Sequence, residues 1–312
     1  SIAAATYNIT ALNLNGLTVL SGNPSLSSGL LAGDLSDDSF RNTTNAPVDV
    51  VYTVVPVSTE GCEEEEFTVT VTVNPAPEVL DQTVLNISSR NPVNVSFNSS
   101  TSVAADRYNI TALNLNGLEV FSGNPQVQNG LPATSLSDDS FINKTSSDVD
   151  VIYTVVPISA AGCEGGTFTV TVSISPEPVV EDQEETVCND EAIEVPLKGS
   201  TNGVFVDKYL VEQINNIGLT ATPGVTNANT AKDDVILSNG VLYNAYTNTS
   251  NSPLNVVYTI VPISIQGGVE VEGESFTVTV IVNPAPKVAD QEPIEVCSGE
   301  ALGVSFNASS SI

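Results

Sequence analysis

A hairpin written three times constrains this chain more than any other feature. From Asp148 to Pro178 the sequence reads DVDVIYTVVPISAAGCEGGTFTVTVSISPEP; Val149, Val151, Tyr153 and Val155 share one parity, and Asp148, Asp150, Ile152 and Thr154 the other. In the second half Phe168, Val170 and Val172 alternate with Thr169, Thr171 and Ser173. A two-residue period sends successive side chains to opposite faces of a sheet, so each half is a strand with one buried face. The glycine-containing segment 160–166 turns the chain between them, which predicts an antiparallel hairpin. The pattern returns at Val48 to Pro77 and Leu254 to Pro286, and the anchor tyrosines Tyr52, Tyr153 and Tyr258 lie 101 and 105 residues apart. A period of about 100 residues is too long for most solenoids and is the size of a small two-sheet sandwich. The expectation is an all-β chain of tandem sandwiches.

Four segments follow: an incomplete first repeat at 1–78, complete repeats at 79–179 and 180–287, and the first strand of a further repeat at 288–312. Within the second repeat, strands are expected at Pro92 to Phe97, Tyr108 to Phe121 and Ser137 to Asn143, separated by turn chemistry such as Gly123-Asn124-Pro125. The third repeat diverges most, over residues 211–245. The segments are joined by Asn74-Pro75-Ala76-Pro77, Ser175-Pro176-Glu177-Pro178 and Asn283-Pro284-Ala285-Pro286. Proline fixes φ and donates no hydrogen bond, so these are short, semi-stiff connectors, and an array built on them is expected to be a rod. Ser1 falls at the phase of Ser102 and Ile312 opposite Val103, as expected of a slice from a longer array with export signals and anchors outside it. The first repeat has no counterpart of Val93 to Phe97, whereas residues 288–312 carry a surplus one. Exposed edges of this kind predict head-to-tail complementation between neighbouring copies.

Charge narrows the partners. The 312 residues carry 8 Lys+Arg against 37 Asp+Glu, a formal net charge of −29, and no histidine. Phosphate recognition needs clustered cations, so nucleic acid is excluded as a partner, and an anionic membrane surface is disfavoured. No apolar run reaches membrane-spanning length. Without histidine there is no Ser-His-Asp or Cys-His arrangement and no histidine-ligated metal. No phosphate loop is present. The chain is read as non-catalytic, with no cofactor beyond calcium as a ligand to be weighed.

Three sets of residues are singled out. Asp34, Asp37 and Asp38, with their relatives Asp138 and Asp139, are candidate calcium ligands, weighed against ordinary solvated turns because Asp favours turns on its own account. Asp81-Gln82, Asp182-Gln183 and Asp290-Gln291 recur at every joint and are read as backbone-capping pairs that fix the interdomain angle. Cys62 and Cys163 share one phase, Cys188 and Cys297 another, with Ser88 and Gly268 filling the vacant positions. Both intact repeats have lost one partner, so all four are expected to be unpaired within these residues, with Cys62 and Cys297 partnered outside them. A Cys163–Cys188 bridge is the alternative and needs Cα atoms within about 7 Å. Asn-x-Ser/Thr triplets at Asn8, Asn42, Asn86, Asn98, Asn109 and Asn143 are acceptors for glycan only in a suitable host.

Val187-Cys188, Asn42-Thr43-Thr44-Asn45-Ala46-Pro47, Val151-Ile152-Tyr153-Thr154-Val155-Val156-Pro157, Gly162-Cys163-Glu164, Phe168-Thr169-Val170-Thr171-Val172 and Pro176-Glu177-Pro178 together carry a resemblance. The chain resembles, over essentially its whole length, the PKD-like repeats of very large Bacteroidota surface proteins, and among them the giant adhesins of gliding flavobacteria. That resemblance implies an immunoglobulin-like sandwich, export by type IX secretion, and a filament anchored at the outer membrane that grips surfaces during gliding. Its implied partners are neighbouring repeats, motility or surface proteins and external polysaccharide; it transfers no catalytic residue. Three functions stay open at this point: structural stalk repeats of an adhesin, a module binding calcium or polysaccharide, and a spacer in a secreted enzyme. Sugar sites usually present aromatics, and a chain with no tryptophan and 5% aromatic residues is poor in them.

Overall fold

The computed structural model describes residues 3–223, 233–237, 240–288 and 290–306, and among these no residue is helical. The first repeat contains β1 (Thr6–Asn13), β2 (Thr18–Ser21), β3 (Ser27–Leu30), β4 (Ser39–Arg41), β5 (Val48–Val57) and β6 (Phe67–Val73). The second contains β7 (Gln82–Ser88), β8 (Ala105–Asn114), β9 (Glu119–Ser122), β10 (Gln128–Leu131), β11 (Ser140–Ile142), β12 (Val149–Ser159) and β13 (Phe168–Ser175). The third contains β14 (Gln183–Val187), β15 (Ala192–Pro196), β16 (Lys208–Asn215), β17 (Thr220–Ala221), β18 (Val235–Leu237), β19 (Val241–Thr247), β20 (Leu254–Gln266), β21 (Val269–Glu272) and β22 (Phe276–Val282). Of the divergent stretch 211–245, residues 224–232, 238 and 239 lie outside the described residues.

One sheet plan is used three times. Its orders are β3-β1-β5-β6, then β10-β8-β12-β13-β7, then β18-β16-β20-β22-β14, and each is faced by a smaller sheet: β2-β4, β11-β9 and β15-β19-β17. The repeated hairpin supplies two adjacent strands of each plan, β5 and β6 pairing antiparallel from Val48↔Val73 to Val54↔Phe67, and β20 and β22 from Leu254↔Val282 to Ile260↔Phe276. In the third repeat the entry strand β14 runs parallel to β22, from Gln183↔Val278 to Val187↔Val282. Alternation delivers the core as the pattern requires: Val151, Tyr153, Val155, Val170 and Val172 are fully buried in the second repeat, and Val256, Tyr258, Ile260, Val278, Val280 and Val282 in the third. Burying a side chain of this size stabilises by roughly 1.5–3 kcal/mol each.

Three expectations are corrected. Residues 92–97 make no ladder: Val93 and Phe97 are buried, but the segment bonds through single contacts such as Val93 N to Asp139 O at 2.8 Å and Phe97 N to Ala133 O at 2.9 Å. The edge strand of the second repeat is β7 instead. Tyr108 to Phe121 is broken into β8 and β9 by a turn with Asn116 at φ 48° and Gly117 at φ 91°. Residues 288 and 290–306, where the first strand of a further repeat is expected, also form no strand.

The chain divides into two compact units, one comprising Ser1–Ile87, Asn91–Phe141 and Asp150–Ser173, the other Ser88–Arg90, Ile142–Val149 and Ile174–Ile312. The joint after the first repeat therefore lies within one unit, and the joint before the third within the other.

Candidate functional site: the joints between repeats

The first and second proline linkers are each held by the repeat that follows. In the first unit Glu78 N donates to Ser100 Oγ (3.1 Å) and Ser102 Oγ (2.9 Å), Thr101 N donates to Glu78 O at 2.7 Å, and Ser102 Oγ donates to Ala76 O at 2.9 Å. The second unit repeats the arrangement with Ser-Thr-Asn. Thr201 N donates to Val179 O at 2.7 Å, Val179 N donates to Asn202 Oδ1 at 3.3 Å, and Asn202 Nδ2 donates to Glu177 O at 2.8 Å. Extended proline segments have few backbone donors of their own, so side chains on a tight loop supply the partners.

A glycine from the long hairpin closes each joint on its other side. A Cβ on Gly165 would stand 1.9 Å from the Pro77 carbonyl oxygen and 2.9 Å from Pro157 Cγ; one on Gly273 would stand 2.1 Å from the Pro178 oxygen and 3.0 Å from Pro262 Cγ. Neither φ is positive, so these glycines are required by close approach rather than by backbone conformation. Their N–H groups donate to Pro157 O and Pro262 O at 2.8 and 2.9 Å. In the first repeat Glu64 holds the same place and donates likewise to Pro56 O at 3.2 Å.

The second joint adds charge. Glu177, in the linker, has 0% exposure, and Arg90 reaches it with both Nε to Oε2 and Nη2 to Oε1 at 2.8 Å while Ser89 Oγ donates to Oε2 at 2.6 Å. Lys144 Nζ meets Glu274 Oε2 at 2.6 Å, and Arg90 Nη2 lies 3.8 Å from the same carboxylate. The Lys144 hydrogen bond and charge hold the Glu274 carboxyl below its ordinary range. The corresponding linker position in the first joint is Ala76, where an exposed Arg41–Glu78 pair at 3.0 Å is the ion pair formed.

The recurrent Asp-Gln pairs bond within the repeat they introduce. Thr169 N donates to Asp81 Oδ1 and Thr277 N to Asp182 Oδ1, both at 2.6 Å, at the start of the last hairpin strand. Gln82 Nε2 donates to Ser96 O at 3.2 Å, Gln183 Nε2 to Pro196 O at 3.2 Å, and Gln291 Nε2 to Ser305 O at 2.7 Å; Asp290 is exposed.

The acidic residues are placed differently from a ligand set. Asp38 Oδ2 accepts the Tyr52 hydroxyl at 2.7 Å and Oδ1 accepts Asn23 N at 3.1 Å; Asp139 does the same with Tyr153 (2.8 Å) and Asn124 N (3.1 Å). Asp34 Oδ2 accepts Leu31 N at 2.8 Å within its own turn, and Asp37 and Asp138 are exposed. Among the described residues no three His, Cys, Asp or Glu side chains stand together as metal ligands. Gly22 and Gly123 sit against these aspartates at φ 80° and 83°, where a Cβ would fall 2.6 Å from the Asp38 or Asp139 Cα. Cys62, Cys163, Cys188 and Cys297 are all free thiols, and Cys163 Sγ faces Asn74 O at 3.9 Å.

The sequence pattern also concealed three structural asparagines. Asn42, Asn143 and Asn248 each donate twice through Nδ2, to a carbonyl four residues on and to the last hairpin strand or its end (Val73, Ile174 and Val282 O, each at 2.7 Å), and each accepts a backbone N–H and a hydroxyl at Oδ1. All three are buried. The triplets at Asn42 and Asn143 are therefore not glycan acceptors in the folded chain. Their spacing of 101 and 105 residues, equal to that of the tyrosines, was the available signal.

Successive two-sheet repeats, the second and third each gripping the linker before it, define a tandem β-sandwich repeat protein. The chain belongs to the PKD-like domain family, which matches it at residues 22–77, 78–178 and 185–286. No curated protein matches it. Among solved structures it is similar to human protocadherin-24 EC1-2 (12% identity, 68% of this chain and 100% of that chain, TM-score 0.27). It is also similar to mouse clustered PcdhgC3 EC1-3 (14%, 86% and 89%, TM-score 0.23) and Drosophila N-cadherin EC1-4 (14%, 89% and 67%, TM-score 0.21).

Proposed function

We propose that these repeats are non-catalytic structural segments of an extracellular adhesin stalk, whose task is reach and repetition rather than chemistry. The observation that carries this reading is the recurrence of one joint, with the linker carbonyl against Gly165 or Gly273 and a Ser-Thr-Ser or Ser-Thr-Asn loop across it. A joint with many fixed contacts resists bending, and many copies of a weakly binding unit on such a support give avidity without a strong site. The finer form, an outer-membrane-anchored filament exported by type IX secretion and used in gliding, is supported by the motif resemblance. No helix among the described residues is long and apolar enough to cross a membrane.

Small-angle X-ray scattering on the 312-residue chain tests the stalk reading. A compact globule of this length has a radius of gyration of about 20 Å. A stalk gives a value well above that in dilute solution, and a value near the compact one overturns the proposal. Antibody labelling of intact, unpermeabilised cells tests the surface location.

A further inference from the structure

Both cysteine phases lead to one place, the first residue of a proline linker. From the repeat that follows a linker, Cys163 Sγ faces Asn74 O at 3.9 Å. From the repeat that precedes one, Val187 O, next to Cys188, accepts Asn283 N at 2.9 Å. Asn74 and Asn283 hold the same position in Asn-Pro-Ala-Pro. A cysteine of the first phase therefore belongs to the repeat after a linker and one of the second phase to the repeat before it. Cys163 and Cys188 serve different linkers.

In the second joint the two approaches meet at Ser175, the counterpart of Asn74 and Asn283. On one side Ser88 stands where Cys188 does, and the adjacent Ser89 N donates to Ser175 O at 3.1 Å. On the other side, counting along the sequence from Ser264 puts Gly268 in the place of Cys163, but the ladder does not. Gly165 lies 8 residues beyond Pro157 and Gly273 lies 11 beyond Pro262, so the third hairpin is longer. Ser159 N donates to Cys163 O at 3.0 Å and Ile158 bridges Glu164; in the third repeat Ser264 lies opposite Val271 and Ile263 opposite Glu272. Val271 is thus the counterpart of Cys163, and the extra residues form the exposed tip that carries Gly268. Ser88 and Val271 are both buried, at 7% and 1% exposure.

Charge is found where the cysteines are missing. Arg90, two residues after Ser88, clamps Glu177, two residues after Ser175. Where a cysteine is kept, the linker has alanine at that position: Ala76 at the joint of Cys163, and Ala285 at that of Cys188, where Asp190 takes the place of Arg90. We infer that the two phases are the two halves of a disulfide that ties one repeat to the next. Ser88 and Val271 occupy its two positions in the second joint, and the Arg90–Glu177 pair holds the linker in its stead.

Two thiols placed at 88 and 271 would join by giving up two protons and two electrons to oxidised glutathione. The first thiolate displaces one glutathione thiolate and forms a mixed disulfide, and the second attacks that protein sulfur and displaces the other. Closure needs Cα atoms within about 7 Å and Cβ atoms turned toward each other, so the bridge itself measures whether the two positions face one another.

The test uses the full chain with Cys62→Ser, Cys163→Ser, Cys188→Ser and Cys297→Ser, into which Ser88→Cys and Val271→Cys are introduced; a free cysteine packs as a small hydrophobe, so both changes suit buried positions. The folded protein is treated with oxidised glutathione, its thiols are titrated in denaturant, and linked peptides are mapped. Both thiols are expected to be lost to an 88–271 crosslink at every protein concentration. The oxidised form is expected to withstand more denaturant than the reduced one and to recover the loss caused by Arg90→Ala. Ser88→Cys with Gly268→Cys in the same background is expected not to join. Refolding in mixed oxidised and reduced glutathione serves a variant that needs the bridge to fold, and failure to form the link there counts equally against the inference. Free or glutathionylated thiols in place of the 88–271 crosslink, a crosslink that lowers resistance to denaturant, or equal bridging by the Gly268→Cys variant overturns it.

Discussion

Tyr153 donates its hydroxyl hydrogen to Asp139 Oδ2 at 2.8 Å, and the two residues are 14 positions apart. Tyr52 and Asp38 make the same bond across the same interval. In the third repeat the interval is kept and the acid is not: Asn244 Nδ2 donates to Tyr258 Oη at 3.1 Å and to Tyr246 Oη at 3.3 Å. Tyr52, Tyr153 and Tyr258 thus each find a polar partner 14 positions earlier, ahead of the hairpin, since a buried hydroxyl left unpaired is costly. Burial raises the ionisation of Tyr153 and Tyr258 far above the ordinary tyrosine range, so both hydroxyls stay protonated.

The acid form carries a cost that the amide form avoids. Burial raises the Asp139 carboxyl, against the opposing pull of the Tyr153 and Asn124 hydrogen bonds. A carboxyl raised in the folded state binds its proton more readily folded than unfolded. Its ionised form therefore lowers stability at neutral pH, and stability is regained as pH falls through the raised folded value, levelling off below the unfolded one near about 3.9. Asp139→Asn removes this dependence. Denaturant titrations at pH 7 and pH 4 are expected to show the wild type gaining on Asp139→Asn at the lower pH. A gap that is constant, or that shifts in favour of the amide on acidification, refutes it.

The joints predict a contrast between adjacent glycines. A methyl on Gly165 or Gly273 meets a linker carbonyl, whereas one on Gly166 meets nothing within 4 Å. Gly165→Ala and Gly273→Ala are expected to displace the linker at a cost of roughly 1–3 kcal/mol, the usual range for overpacking, and Gly166→Ala to be nearly neutral. Faster proteolysis within 74–79 for Gly165→Ala and within 175–180 for Gly273→Ala reads this out directly. Equal cleavage in all three variants would show that the glycines do not hold the linkers.

Strands built from valine and threonine were legible because period and burial coincide: one parity of 149–155 and 168–172 is the core, and no distant partner is needed to see it. The Phe97 segment was misread because alternation marks burial, not pairing, and its residues are buried while their backbone makes only isolated bonds. The acids 38 and 139 looked like exposed turn formers until their tyrosine partners, 14 positions on, were in view. The joint glycines were beyond reach for a different reason. What makes Gly165 necessary is a carbonyl 88 residues earlier, and no local pattern records that contact.

Arg90 and Lys144 both meet carboxylates at the second joint, yet their removal should differ sharply. Arg90→Ala leaves Glu177, at 0% exposure, with its charge matched only by the Ser89 hydroxyl. Stranding a buried charge of this kind costs roughly 3–5 kcal/mol. Lys144→Ala breaks a pair whose side chains are 42% and 61% exposed, where solvent screening leaves about 1 kcal/mol or less. The lowered Glu274 carboxyl gives that small contribution a direction, present at neutral pH and lost as pH falls through the folded value. Thermal unfolding of the two variants checks the ranking. Comparable losses would mean that the Arg90–Glu177 pair contributes no more than the exposed one.

Asn143 is the most demanding of the three asparagines because the joint depends on it as well. Its side chain satisfies Ser147 O, Ile174 O, Thr145 N and Thr145 Oγ1; its own N–H donates to Ser89 Oγ and its carbonyl accepts Glu177 N at 2.9 Å. Alanine keeps the two backbone bonds and loses the side-chain ones, leaving Ile174 O without its donor in the interior. The expected loss is at least about 2 kcal/mol, since each stranded buried group costs roughly 1–3 kcal/mol. Asp in its place loses both Nδ2 donors and sets a carboxylate against two carbonyl oxygens, so Asn143→Asp should be worse than Asn143→Ala at pH 7 and recover part of the difference at pH 4. Chemical denaturation at the two pH values gives the comparison, and an aspartate variant as stable as the wild type at pH 7 would show that the bonds to Ser147 and Ile174 contribute little.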